Sequence, residues 1–125
     1  CDIDRFKAVN DNYGHDIGDK ALMHIAKLMQ NQLRYSDVVA RYGGEEFIIC
    51  LPHASMRQAV QIAEKLRKNI EEHPVNLESG ENLALTASFG VAEVHSVVAF
   101  YNAVKQADEA LYSAKRSGRN RVATL

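Results

Sequence analysis

Cysteine, proline and unbalanced charge are all scarce in this chain of 125 residues. The two cysteines, Cys1 and Cys50, form no CxxC pair. Their spacing excludes a disulfide framework and a cysteine-based zinc site, and makes a reducing, cytoplasmic location the expectation. Net charge is −1, from 15 basic and 16 acidic residues. No global basic field exists to hold DNA, RNA or an anionic membrane. A polyanion must therefore be met by locally placed charges or a metal. Tyr13, Tyr42 and Tyr112 form no aromatic ladder for stacked bases. No apolar run approaches the ~18 residues of a membrane span, and no signal peptide is visible. No repeat, low-complexity tract or linker interrupts the chain, so residues 1–125 read as one domain. The chain opens mid-pattern at Cys1-Asp2-Ile3-Asp4, so an upstream segment is expected, through which a parent protein would be free to reach a membrane.

What is present is a set of short, alternating patterns. Cys1 to Phe6 alternates weakly, as at the end of a strand. Val9 to His15 is polar and turn-like. From Ile17 the period becomes helical, with Leu22, Ile25, Ala26, Met29 and Leu33 on one stripe. Val38 to Tyr42 and Phe47 to Leu51 are strand-like runs flanking Gly43-Gly44, a hairpin turn. Pro52 closes the second of them. Ser55 and Gln58 have capping-box spacing before a helix bearing Ala59, Ile62, Ala63, Leu66 and Ile70, which His73-Pro74 ends. Asn76 to Asn82 reads as a polar loop. Leu83 to Gly90 reads as one strand, ending there or continuing to Ala92. Val104, Ala107, Leu111 and Ala114 mark a third helix with Gly118 just past its end. Val122-Ala123 suits a last short strand. The first six elements match the ferredoxin-like βαββαβ sandwich, an α+β fold with helices on one face of a central antiparallel sheet. A C-terminal helix and strand extend it.

Several residues could carry chemistry. The first and third strands of such a sheet are neighbours, so the carboxylates of Asp2 and Glu45 would converge near the hairpin tip. Oxygen ligands of this kind suit Mg²⁺, which usually takes one or two carboxylates plus substrate phosphates; solvated surface acids are the alternative. Gly43 and Gly44 either supply positive φ to a tight turn or let a triphosphate approach the backbone. Lys115 and Arg119 either compensate a helix end or contact phosphates. His15 and His24 stand at ordinary positions.

Taken together, the segments resemble the GGDEF domain of diguanylate cyclases. Asp2 to Asp11 is similar to the family's DxDxFKxxND stretch, and Gly14 to Asp19 to its GHxxGD. Arg41-Tyr42-Gly43-Gly44-Glu45-Glu46-Phe47 resembles the eponymous signature in its GGEEF form. Ser88 to Ala92 resembles its S-hydrophobic-GVA strand, and Ala107 to Asn120 its ADxALYxAKxxGRN stretch.

The resemblance implies a fold of the nucleotidyl cyclase and polymerase-palm type. It implies a metal-dependent nucleotidyltransferase that condenses two GTP into cyclic di-GMP across two facing copies of the domain. Mg²⁺ or Mn²⁺, two ions per active site, would be held by Asp2, the carbonyl of Ile3, and Glu45. Glu45, Glu46 and Lys7 match catalytic positions. Asn10, His15 and Asp19 match substrate-binding positions, the first and last at the guanine. Gly43, Gly44, Lys115 and Arg119 match positions around the phosphates, as does Lys7. Arg34-Tyr35-Ser36-Asp37 resembles the RxxD product-inhibition motif, a local ion pair being the alternative. The family's second inhibitory arginine corresponds to Lys65, which lacks the planar fork, so weaker inhibition is expected. The family also carries a DxLTGLxNR stretch upstream of the first strand, with no counterpart here. Two other functions are open: a catalytically silent module binding cyclic di-GMP or GTP, and a regulatory domain attached to a phosphodiesterase. The intact GGEEF hairpin favours the enzyme.

Overall fold

The computed structural model describes every residue from Cys1 to Leu125. In chain order the elements are β1 (Asp2–Ile3), α1 (Phe6–Tyr13), α2 (His15–Gln32), β2 (Val38–Arg41), β3 (Phe47–Cys50), α3 (Met56–Glu72), β4 (Val75–Asn76), β5 (Asn82–Leu83), β6 (Ala87–Val91), a 3-10 turn (Val97–Ala99), α4 (Phe100–Arg116) and β7 (Val122–Thr124). β1 pairs antiparallel with β6, Asp2 opposite Ser88, and β7 runs parallel to β6 on its other side. The β2–β3 hairpin, registered from Val38 opposite Cys50 to Arg41 opposite Phe47, joins the free edge of β1. An antiparallel bridge between Asp2 and Glu46 makes that junction, with Phe47 N–H donating to Cys1 O at 2.8 Å. The strands therefore run β2-β3-β1-β6-β7, the expected palm-like sheet with flanking helices.

The helices do not all lie on one face. Ala87, Ser88 and Phe89 are consecutive and all buried, so β6 is covered on both sides. Ala87 and Phe89 share a core with Ile25 and Met29 of α2 and with Ala63, Leu66 and Ile70 of α3. Ser88 and Gly90 face the other way, against α4. A methyl group at Gly90 would lie 2.0 Å from the Ala107 carbonyl oxygen, so only glycine permits this approach.

Three local expectations change. Val9 to His15 is not a turn, because Phe6 to Tyr13 forms α1 and buries Phe6 and Val9, three residues apart. Gly14, at φ 89°, separates α1 from α2. Asn76 to Asn82 is a small hairpin, with β4 and β5 paired at Val75–Leu83 and Leu77 buried in its loop. The run from Leu83 is two strands, since Leu83 belongs to β5 and β6 starts only at Ala87. The capping box is present, with Gln58 N–H donating to Ser55 Oγ at 3.2 Å and Ser55 N–H donating to Gln58 Oε1 at 2.9 Å.

Candidate active site at the hairpin tip

Alternation along β1 sends the side chains of Asp2 and Asp4 to the same face. Lys115, in the last turn of α4, reaches both. Its ammonium lies 3.1 Å from Asp2 Oδ1 and 2.7 Å from Asp4 Oδ1. Lys115 is thus no mere helix-end counterion; it crosses to the central strand. Asp4 is buried and also accepts from Thr86 Oγ1 at 2.7 Å, Ser88 Oγ at 2.7 Å and Asn120 N–H at 2.9 Å. Burial alone would raise its carboxyl; the donors, Lys115 foremost, outweigh that and hold it below the usual aspartate value.

The hairpin turn stands beside Asp2. Ile3 N–H donates to Glu45 O at 3.2 Å, and Glu46 bridges Asp2. Glu45 is half-buried, and its carboxyl is pushed up, first by burial and next by the charge of Asp2. Two carboxylates crowded in this way form a site that favours a cation. No three His, Cys, Asp or Glu side chains form a ready cage. Two carboxylates with the Ile3 carbonyl remain a suitable partial donor set for Mg²⁺, which keeps positions for water and phosphate.

The glycines of the turn are explained neither by φ nor by internal packing. Neither Gly43 nor Gly44 has positive φ, and a methyl group at Gly44 would meet nothing within 4 Å. That removes the tight-turn explanation. Arg41, which the sequence reading passed over, shapes this loop. Its Nε donates to Gly43 O at 3.1 Å and its Nη2 to Gly44 O at 2.8 Å. In a trans peptide, C=O and the following N–H point in opposite directions. With both carbonyls turned to Arg41, the N–H groups of Gly44 and Glu45 point away from it, and neither is bonded within the chain. Adjacent free N–H groups of this kind attract anions. An arginine immediately before the Tyr-Gly-Gly run was the available signal; Asp4 was signalled by its two-residue spacing from Asp2.

The remaining site residues lie on several elements. Asn10 on α1 packs over Gly18 on α2, where a methyl group would lie 1.9 Å from Asn10 Oδ1. Asp19 follows Gly18 and is exposed, as are His15 at the start of α2 and Lys7 on α1. Arg119 is half-buried in a turn after α4, at φ 66°. Arg34 and Asp37 lie at the opposite end of the hairpin. Arg34 Nη2 donates to Asp37 Oδ1 at 2.9 Å and to Pro52 O at 2.9 Å. Hydrogen bonding from Arg34 holds Asp37 below its usual value. The support this pair gives the fold is therefore complete above the ordinary aspartate range and fades as pH falls through the lowered value. Lys65, on α3, lines a polar cleft with Gln32, Lys68, Asn69 and Glu72. An apolar groove of about 820 Å³ is lined by residues such as Ile48, Ile62 and Val91. It is not where the charged residues gather.

The sequence profile described as "Diguanylate cyclase, GGDEF domain" matches residues 1–121. The chain belongs to the GGDEF domain family. This GGDEF domain is 42% identical over 121 residues to diguanylate cyclase DosC of Escherichia coli, spanning 97% of the chain and 26% of that protein. It is 47% identical to diguanylate cyclase VdcA of Vibrio cholerae over 126 residues, 99% of the chain and 37% of that protein. The domain thus spans about a quarter to a third of these curated relatives. Among solved structures, the GGDEF domain of DgcB from Caulobacter crescentus in complex with c-di-GMP superposes with a TM-score of 0.91 at 35% identity, over 98% of this chain and 72% of that one. SiaD of Pseudomonas aeruginosa, a diguanylate cyclase solved with its activator SiaC, gives 0.90 at 41% identity, over 97% and 46%. No helix of the GGDEF domain is long and apolar enough to cross a membrane.

Proposed function

We propose that this domain condenses two GTP molecules into cyclic di-GMP and releases two pyrophosphates. Each 3′-hydroxyl attacks the α-phosphate of the GTP held by a second copy. The observation that carries this reading is the convergence of Lys115 from α4 with Asp2 and Asp4 of β1, beside the Glu45 turn. Phosphoryl-type transfer is mostly positioning and charge stabilisation, and these groups are of the kinds it needs. Asp2, the Ile3 carbonyl and Glu45 would hold Mg²⁺ or Mn²⁺, two ions per site. When bound, such ions make the attacking oxygen more nucleophilic and offset charge on the leaving group.

The chain's own residues divide the remaining work. Lys7, Lys115 and Arg119 bind phosphate oxygens, and the free N–H groups of Gly44 and Glu45 add uncharged donors. Gly43 and Gly44 leave the backbone open to the triphosphate. Asn10 and Asp19 read the guanine edge, with His15 near the substrate. Glu45 accepts the proton of the 3′-hydroxyl, and Glu46 supports it from the adjoining bridge. Incubating the protein with GTP and Mg²⁺ and identifying the products by mass tests the proposal. Cyclic di-GMP with pyrophosphate is the expected outcome. A protein that retains cyclic di-GMP but forms none from GTP is instead a silent binding module.

Base choice gives a sharper expectation. Guanine offers two donors, N1–H and the N2 amine, to an acceptor-only carboxylate, whereas adenine presents a bare N1 acceptor there. Asp19 is exposed, so water softens the penalty for the wrong base. Asp19→Ser should narrow the GTP-over-ATP preference by about tenfold, because a hydroxyl either donates or accepts. Competition between the two nucleotides measures it, and an unchanged ratio would assign base reading to another residue.

Feedback belongs to the far end of the hairpin. Arg34 and Asp37 are proposed, with Lys65, to take cyclic di-GMP as inhibitor. The four-residue strands between this end and the tip alone span roughly 10 Å. Arg34→Ala should therefore leave initial velocity nearly unchanged while raising the cyclic di-GMP concentration needed for half-inhibition. Superimposable inhibition curves would reduce Arg34 and Asp37 to an ordinary local ion pair.

A further inference from the structure

We propose that Asp4 is a positioning residue: it touches no substrate, but it aims the phosphate-binding ammonium of Lys115 and anchors the turn that carries Arg119. The proposal rests on the reading of Lys115 as a phosphate ligand.

The argument begins with valence. An ionised carboxylate offers about four lone-pair positions. At Asp4 four donors take them, from Thr86, Ser88, Lys115 and Asn120. The group is also buried, at 5% exposure. It has neither capacity nor access for a metal or a nucleotide, which separates it from the half-buried Asp2 two residues before. What it does have is reach into separate parts of the chain. Thr86 and Ser88 lie 82 and 84 residues away, Lys115 lies 111 away and Asn120 lies 116 away.

Lys115 gains direction from this. Its ammonium has three protons on a flexible stem. Asp4 takes one at 2.7 Å and Asp2 a second at 3.1 Å. The shorter contact is to the residue that never faces substrate. The third proton goes to the backbone carbonyl of Asp2 at 3.4 Å, the longest of the three contacts and the one a ligand oxygen would replace, and the rotamer freedom of the stem is removed before the ligand arrives.

The turn after α4 is fixed from the same atom set. Gly118, Arg119 and Asn120 all have positive φ, which glycine adopts freely, asparagine tolerates and arginine adopts against its preference. Asn120 N–H donates to Asp4 Oδ2 and, at 3.1 Å, to Ser88 Oγ. Its side chain accepts from Arg67 at 2.9 Å and donates to Glu71 of α3. Arg119 is therefore displayed on a backbone pinned on both sides.

The test is a binding cycle in the whole protein with Mg²⁺. One probe is a GTP analogue with methylene between the α- and β-phosphates; the other is guanosine. Circular dichroism checks each variant's fold. Asp4→Asn should weaken the triphosphate by about 10- to 100-fold, the scale of a lost charge-assisted hydrogen bond, and leave guanosine unchanged. In a Lys115→Met background most of that loss should disappear, because the group being aimed is gone. Equal loss of both probes, an unchanged triphosphate affinity, or a loss that persists undiminished without Lys115 would each overturn the proposal. If Asp4→Asn does not fold, Thr86→Val removes one restraint and keeps the charge. It should weaken the triphosphate by about threefold, and no change would count against Asp4. A parent protein that prefers the triphosphate but makes no cyclic di-GMP sinks the cyclase reading and leaves the role of Asp4 standing. A parent with no preference over guanosine sinks the role of Asp4.

Discussion

Glu45→Gln is expected to lower cyclic di-GMP formation by at least ~10²-fold, the scale of losing one preorganised electrostatic group. Glutamine keeps the shape of the side chain and its capacity to accept. It removes the charge that faces the cation and the basicity needed to take a proton from the 3′-hydroxyl. The fold should survive, because Glu45 is held in the turn by its backbone, whose carbonyl accepts from Ile3 N–H at 3.2 Å. Without metal the variant should melt no lower than the parent. Its neighbour Asp2 now raises the carboxyl of Glu45 by repulsion, after the larger effect of burial, and glutamine relieves both. Product formation and thermal melting, measured side by side, separate the two effects. A folded variant with parental turnover would remove Glu45 from the mechanism.

Gly90→Ala is expected to damage stability rather than chemistry. Its added methyl would sit 2.0 Å from Ala107 O, 2.4 Å from Leu111 N and 3.0 Å from Leu111 Cα. These are backbone atoms of α4, so no side-chain rotation relieves the overlap. Either α4 lifts off β6 or the central strand bends. Overpacking of this kind costs about 3 kcal/mol, which in a domain of this length lowers Tm by about 10 °C. The displaced helix also carries Lys115, so triphosphate binding should weaken with it. Gly44→Ala is the control: its methyl meets nothing, and Tm should hold within ~0.5 kcal/mol equivalent. Equal melting of the Gly90 variant and the parent would mean that α4 does not seat on β6 at this point.

Much of the local structure was legible because its signals are local. α2, α3 and α4 each run sixteen residues or more of helical period, long enough for the pattern to repeat. Ser55 and Gln58 announce the start of α3 within four residues. α1 escaped notice because eight residues hold only two buried positions, Phe6 and Val9, amid polar neighbours. A pattern that short is outweighed by Asn10-Asp11-Asn12, which read as turn formers. β5 and β6 merged for a related reason: Leu83 and Leu85 keep an alternation that continues into Ala87 and Phe89, although the pairing partner changes from β4 to β1.

By itself the sequence determined the family, the α+β order of elements, and the carboxylate, glycine and cation types at the site, because motif spacing and periodicity are properties of neighbouring residues. Tertiary structure alone decided where those groups meet. Asp4 and Lys115 are 111 residues apart, and no local pattern records which strand a helix end will cross. Covering β6 on both faces, rather than one, follows from pairing β1 and β7 around it and leaving its two faces to different helices. The turn of the Gly44 and Glu45 amides away from Arg41 follows from guanidinium contacts to Gly43 and Gly44 carbonyls. Backbone direction has no letter in the sequence; it is set by which atoms are close enough to bond once the chain has folded.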